Sequence, residues 1–348
     1  MKLFLKNIVL FLLIPLIPMF VLEIVLPSTW FTFRTWEAVT SRYVPLIGPF
    51  YPSIHGHMIE VGDLAHHTQF SVKKNVIWLT DRLGFRNKKY ILSPDILIIG
   101  DSNIAGSSLS QEEMLSSRLN EYTPYSTYNV APADINTCIQ LIESGLIQLP
   151  RIVIFSRIER RLLDLPNIRV TSKLKYLSLK LNPYVQFIAI NLDKLIRANS
   201  LRSFHSTLLR YTEKSKSFQS NIDKRIFFHQ GLKAVIHVSK SKIKKTTKRL
   251  QTYKKYFNSR GSKFIFLPIP NKETILWEYV KLSKQPLYLD QLIKQLIENN
   301  ILTVNTFKLF NELLEKNIFP YHLDDTHWNK YAVEVAARRL SKLIASIE

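Results

Sequence analysis

The sequence predicts an α/β fold built on a parallel sheet, preceded by an apolar helix of membrane length and interrupted by a basic insertion. Three observations carry this reading. Short β-branched runs at 96–99, 152–155, 264–267 and 301–304 are bounded by turn residues and read as buried parallel strands. Helix-periodic segments accompany them at 111–120, 135–149, 246–257, 287–299 and 307–316, with a last amphipathic helix at 330–347. The chain has 348 residues, 46% of them apolar, enough for one large core.

In chain order, the first element is "MKLFLKNIVLFLLIPLIPMFVLEIVLPSTWF". Lys2 and Lys6 precede an apolar run at 8–26 that only Glu23 breaks. Its length suits a bilayer. No small-x-small cleavage site follows, so residues 1–28 read as a retained signal-anchor, with the N-terminus inside and the remainder exported. Pro15 and Pro18 are tolerable in such a helix. Trp30, Phe31, Phe33 and Trp36 suit the outer interface, where amphipathic rings prefer to lie. Residues 29–90 are irregular and aromatic, a juxtamembrane linker. Residues 91–348 form one domain, with a helical insertion or lid at 167–244 where strand signals fade.

Formal charge is +21, from 48 Lys+Arg against 27 Asp+Glu. Residues 157–255 hold 24 of the basic residues and only 5 acidic ones, so the excess is local. It is either a solvated surface or a site for an anionic partner, a charged glycan or a lipid headgroup layer. The basic residues lack any nucleic-acid motif or interleaved stacking aromatics, which argues against nucleic acid. The one cysteine, Cys138, excludes an internal disulfide and a Cys-based zinc site. His55, His57, His66 and His67 have no suitably spaced carboxylate or cysteine, so no metal and no cofactor is assigned.

Two stretches carry chemistry. In "ILIIGDSNIAG" a buried strand runs into Gly100-Asp101-Ser102, which puts Ser102 in a tight turn at the sheet's carboxyl edge. Backbone N–H groups beyond such a turn suit an oxyanion. A serine hydroxyl needs a base to become a nucleophile. "DDTHWNKYAVEVAARRL" offers one: His327, preceded by Asp324 and Asp325, leads into the last helix. Asp101 reads as a turn-bonding residue. Glu159 and Arg160 read as an ion pair, and Lys272 as solvated at a strand end.

With these blocks the chain resembles the SGNH (GDSL-like) hydrolase superfamily, and within it the membrane-anchored proteins related to bacterial alginate O-acetyltransferases. "LGFRN" precedes the nucleophile strand; "VIFSRIERRLL", "FLPIPNKETI" and "DDTHWN" match later blocks. The resemblance covers residues 80–348, the insertion excepted. It implies an SGNH/flavodoxin-like three-layer fold, with Ser102 as nucleophile and His327 as general base. General SGNH enzymes point to Asp324 as the acid; the Asp-x-His-Trp pattern points to Asp325. The Ser102 N–H is one expected oxyanion donor. Asn103, Ser156, Arg157, Arg86 and Trp328 are the expected oxyanion or substrate contacts. Asn103 has helix capping, Arg86 segment anchoring and Trp328 a core position as the alternatives. The sequence departs from the family where Ala131 replaces an expected glycine and where no asparagine stands near Ser156.

The resemblance implies an O-acyltransferase acting on an envelope or secreted polysaccharide at the bacterial inner membrane, facing outward. It also implies a multi-pass membrane acyltransferase as acyl donor and a polysaccharide acceptor, for which the basic segment suits an anionic one. An esterase of the same substrate and an inactive glycan-binding scaffold are the alternative readings.

Overall fold

The computed structural model describes residues 2–44, 46–66, 68–169, 177–211, 217–229 and 238–347. Parts of the expected insertion, at 170–176, 212–216 and 230–237, and His67 lie outside the described residues.

The apolar N-terminal run forms one helix, α1 (Lys2–Val25), with Pro15 and Pro18 inside it. It is long and apolar enough to cross a membrane, and almost none of it is buried in the protein. The next segment is no loose linker. It folds into α2 (Thr35–Val39) and an antiparallel hairpin, β1 (His55–Glu60) with β2 (Lys74–Leu79). Phe50, Tyr51, Trp78 and Phe85 bury it in the main core. Of its expected interfacial aromatics, Trp30 alone is exposed. Trp36 packs edge-on against Phe50, and Phe33 stacks on His66.

Next come β3 (Ile96–Ile99), α3 (Leu115–Tyr122), β4 (Thr127–Asn129), α4 (Ile135–Glu143) and β5 (Ile152–Ile158). The insertion contributes α5 (Leu177–Leu181), α6 (Pro183–Arg197) and α7 (Asn199–Tyr211). It also holds a short hairpin, β6 (Ser217–Gln219) with β7 (Phe227–His229). Then follow α8 (Lys240–Asn258), β8 (Lys263–Ile269), α9 (Lys272–Ile275) and α10 (Tyr288–Glu298). The chain ends with β9 (Leu302–Thr303), α11 (Thr306–Glu315) and α12 (Lys330–Ala345).

Five strands pair in parallel in the order β4-β3-β5-β8-β9. Every residue of β3 is buried, as is all of β8 beyond Lys263, so both faces of the sheet are covered. That explains the unbroken apolar runs, since alternation survives only where one face meets water. α8 packs on β8 through Tyr253 and Phe257 while its lysines 242, 244, 245 and 248 face solvent. Part of the local basic excess thus lies on one exposed helix face. α12 packs against α3 and α11 and brings the histidine block back to the end of β3.

Candidate active site

The nucleophile turn depends on Gly100. A Cβ there would overlap the Ile104 side chain and stand 3.4 Å from Ser156 Cβ, so only glycine fits. Asp101 then pins the turn. Its Oδ1 accepts from Asn103 N at 3.0 Å and its Oδ2 accepts from Ile158 N at 2.8 Å, tying the turn to the end of β5. No helix starts directly after Ser102. Residues 103–109 are successive turns, and α3 begins at Leu115.

Those turns are wound around Arg86. Its Nε donates to Gln111 Oε1, Nη1 to the carbonyls of Ala105 and Gly106, and Nη2 to those of Ile77 and Leu109. All five donors are used, and the guanidinium stacks 3.7 Å from the Trp78 ring. Burial pulls this guanidinium down to about 9, against the opposing charges of Glu60 and Glu113. Arg86 is thus fully buried and reaches no substrate; it braces the nucleophile loop.

The histidine block, 321–328, is a tight loop opened by a Tyr321–Trp328 bridge. Lys272 holds it from beneath. Its Nζ donates to the carbonyls of His322 (2.7 Å), Leu323 (2.8 Å) and Asp325 (3.0 Å). Burial lowers this ammonium to about 8, with the nearby carboxylates, Asp325 foremost, opposing the fall. The expected solvated lysine is therefore a buried staple. Asn329 accepts from Tyr331 N and Ala332 N, which starts α12 directly after the loop.

Across the two loops, His327 Nε2 lies 2.8 Å from Ser102 Oγ, and His327 Nδ1 lies 2.5 Å from Asp325 Oδ1. Asp325 Oδ2 accepts from Ser108 Oγ at 2.7 Å and Asp63 N at 3.2 Å. With Nδ1–H donating to the carboxylate, Nε2 is left to accept the serine proton. Burial opposes a charged imidazole, but Asp325, through its charge and hydrogen bond, outweighs it and raises His327 above the ordinary histidine value. Asp325 is likewise held well below the carboxylate range: burial opposes this, and His327 overcomes it.

Asp324 points elsewhere. It accepts from Gly62 N, Val72 N and Lys74 Nζ, so it fastens the loop to the N-terminal hairpin and not to the histidine. Asn103 and Trp328 also have structural work. Trp328 is fully buried, with its N on Asn103 Oδ1 (3.2 Å) and its Nε1 on Asn103 O (3.0 Å). The amide of Asn103 is spent on Asp101 and this contact, and the indole offers no sugar platform. Ser156 is buried beneath the turn, and its hydroxyl has no partner among the described residues. Arg157, one residue on, faces the opposite side of the sheet, where its charge acts on Tyr253. Neither joins the Ser102–His327 pair. Glu159 and Arg160 form no ion pair. Glu159 is buried, accepts from Asn271 N and Thr274 Oγ1 at the start of α9, and is pushed up to about 7 by burial.

Among candidate oxyanion donors, the Ser102 N–H has no acceptor among the described residues. Ala131 N is taken by Asn129 Oδ1, so the position that carries glycine in the resembling family supplies no free donor.

Asp63 is the residue that sequence reasoning missed. Its carboxylate receives both Thr326 N and Thr326 Oγ1 at 3.0 Å, and Arg34 Nη1 lies 3.4 Å away. Burial, first, and the Asp325 charge raise its carboxyl, against His327 and Arg34. It lies in "IEVGD", where no local pattern marks it, and stands 263 positions from its partner in an irregular stretch. Among the described residues, Asp63, Asp325 and His327 have ligand atoms close enough to converge on a cation. Each already holds a protein donor or acceptor, and His327 Nδ1 is committed to Asp325.

The parallel sheet and the paired loops at its carboxyl edge define an α/β protein of the SGNH hydrolase-like class. Residues 226–347 match the family model described as the SGNH hydrolase-like domain of the acetyltransferase AlgX, a stretch that contains the histidine block and ends just past α12. The matched stretch is about a third of the chain, and it is this part that is similar to the SGNH hydrolase-like domain of that acetyltransferase. No curated protein and no solved structure matches the chain.

Proposed function

We propose that this chain is a membrane-anchored O-acyltransferase that moves an acyl group, acetyl by analogy with AlgX, onto a polysaccharide outside the cytoplasmic membrane. One observation carries the catalytic part: the continuous hydrogen-bond chain Ser102–His327–Asp325, at 2.8 and 2.5 Å, between residues 225 positions apart. In this reading His327 Nε2 takes the Ser102 proton as Oγ attacks the donor's acyl carbon. The Ser102 N–H steadies the oxyanion. The intermediate collapses, the donor's alkoxide leaves with the proton from His327, and an acyl-serine remains. A sugar hydroxyl then gives its proton to His327 and attacks the acyl carbon, and Ser102 Oγ leaves with that proton back from His327. Asp325 holds the tautomer and stabilises the imidazolium. A donor outside the cytoplasm is best supplied by a multi-pass membrane acyltransferase, and α1 would keep this domain beside it.

The test begins with p-nitrophenyl acetate, since an acyl-enzyme forms without the true acceptor. Ser102→Ala and His327→Ala are each expected to lower turnover by about 10⁴-fold or more, and their double variant by no more than either. Asp325→Asn should lose about 10³- to 10⁴-fold, while Asp324→Asn should act through stability alone. Burst kinetics and probe labelling at Ser102, with loss of glycan O-acyl groups on deletion of the gene, support the transferase. Free acetate as the sole product with glycan present would make it an esterase. No burst and no labelling would leave a binding scaffold.

A further inference from the structure

Glu23, the one charge inside the apolar run, has a partner that leads to a second membrane element. Its Oε1 accepts from Ser200 N at 2.5 Å, at the first turn of α7. The carboxylate near the end of α1 is buried against a helix N-terminus, which favours negative charge. α1 thereby packs against both α6 and α7.

α6 is fixed firmly on its inner face. Asp193 accepts from the backbone N of Arg42, Tyr43 and Val44 and from Tyr51 Oη. Arg197 donates to the carbonyls of Thr40 and Glu37. Ala189, Asp193 and Arg197 recur every four residues, so they line one stripe. The outer stripe is bare and apolar. Tyr184 is 82% exposed, Phe187 69% and Ile188 65%, with Leu192 and Ile196 continuing the row; Phe204 of α7 is 66% exposed. A helix held this tightly does not leave large side chains in water without a partner, because such patches mark interaction surfaces.

We infer that α6 and α7 form an interfacial hairpin whose apolar faces lie in the outer leaflet beside α1. The inference rests on the reading of α1 as a span. Two features select lipid as the occupant. The bare face is continuous, through the Glu23–Ser200 bond, with the end of a helix of membrane length. Its polar fringe is cationic: Asp193 is the only acid in α6 and α7, and it is buried, whereas Lys194 and Arg202 lie on the polar sides. An apolar face with a cationic fringe suits an anionic leaflet.

The full chain in vesicles of phosphatidylethanolamine and phosphatidylglycerol tests this. Cys138 is the one cysteine and is buried, so a cysteine introduced at Ile188→Cys or Phe204→Cys takes an environment-sensitive dye alone. Ile14→Cys reports on α1, and Lys294→Cys, whose side chain is 68% exposed, reports on water. Dyes at 188 and 204 are expected to lose most of their emission to nitroxide-labelled lipid and little to acrylamide. Acrylamide quenching as strong as at 294 overturns the inference, whatever Ile14 reports. Protection from both quenchers overturns it in favour of a covering protein. A dye at 14 outside lipid would sink the span reading, and lipid quenching at 188 and 204 would then still support the hairpin.

Discussion

At the scale of single residues, the site is a contest between burial and pairing. His327 is buried, which alone would lower its proton affinity; Asp325 reverses the sign, and Asp63 adds to it. A raised histidine is neutral, and able to act as base, only above its folded value. The acidic limb of kcat/KM is therefore expected above the ordinary histidine value of about 6.5. Asp63→Asn removes one of the charges that raise it, so the limb should move to lower pH while Thr326 N keeps an acceptor. Asp63→Ala loses that acceptor too and should also lower kcat by about ten- to hundredfold through misplacement of the loop. A pH–rate profile of the three proteins checks both; unchanged limbs would reduce Asp63 to a structural tie. That Ser102, His327 and Asp325 would come together was legible in the sequence because they sit in two short blocks; which aspartate faces the histidine was not, and Asp324 turns to the hairpin. Asp63 and Ser108 were not legible, since their meaning comes only from where 62–74 and 101–109 meet the histidine loop. Arg86 and Trp328 were legible as notable residues but not as buried ones, because burial is a property of surroundings that no local pattern encodes.

At the scale of elements, two buried cations position two loops by donating to backbone. Arg86→Lys leaves three donors for five acceptors; Gln111 Oε1 and Gly106 O keep Leu79 N and Leu109 N as donors, but a single ammonium cannot span the set that the forked guanidinium holds. That is expected to cost about 1–3 kcal/mol, the penalty of a buried group left unsatisfied, and to slow Ser102 chemistry by loosening residues 105–109. Lys272→Met strips the ammonium from three carbonyls, of which Leu323 O keeps Phe227 N as donor, and should cost at least about 2 kcal/mol on the same scale. Urea denaturation with retained slope reads both losses. The strands of the sheet, save β4, were legible, because two covered faces write an unbroken apolar run. β4 is three residues, Thr-Tyr-Asn, at the edge of the sheet, too short and polar to stand out. The β1–β2 hairpin was missed because its burial alternates imperfectly and its histidines and glycine dilute the pattern. In the insertion, helices were expected and α5, α6 and α7 are present; the β6–β7 hairpin was not foreseen.

At the scale of the whole molecule, where α1 is read as a membrane span, Lys2 and Lys6 before it predict an N-terminus inside. A reporter fused after the last residue is expected to be active only outside the cytoplasm, and activity confined to the cytoplasm would reverse that topology. The histidine loop is also where distant parts of the chain are joined. Asp324 reaches Gly62 across 262 positions, Leu323 O accepts from Phe227 N, and Lys272 closes the loop from below. Contacts of such separation form late, because the chain must first be brought together around them. During synthesis and export the order of emergence is set by the order of residues. Ser102 leaves the ribosome 225 residues before His327, and through that interval it is a turn serine with no base. On the proposed catalytic reading a chain still in transit is inert toward esters in its surroundings, and Ser102 gains its base only when the histidine loop docks.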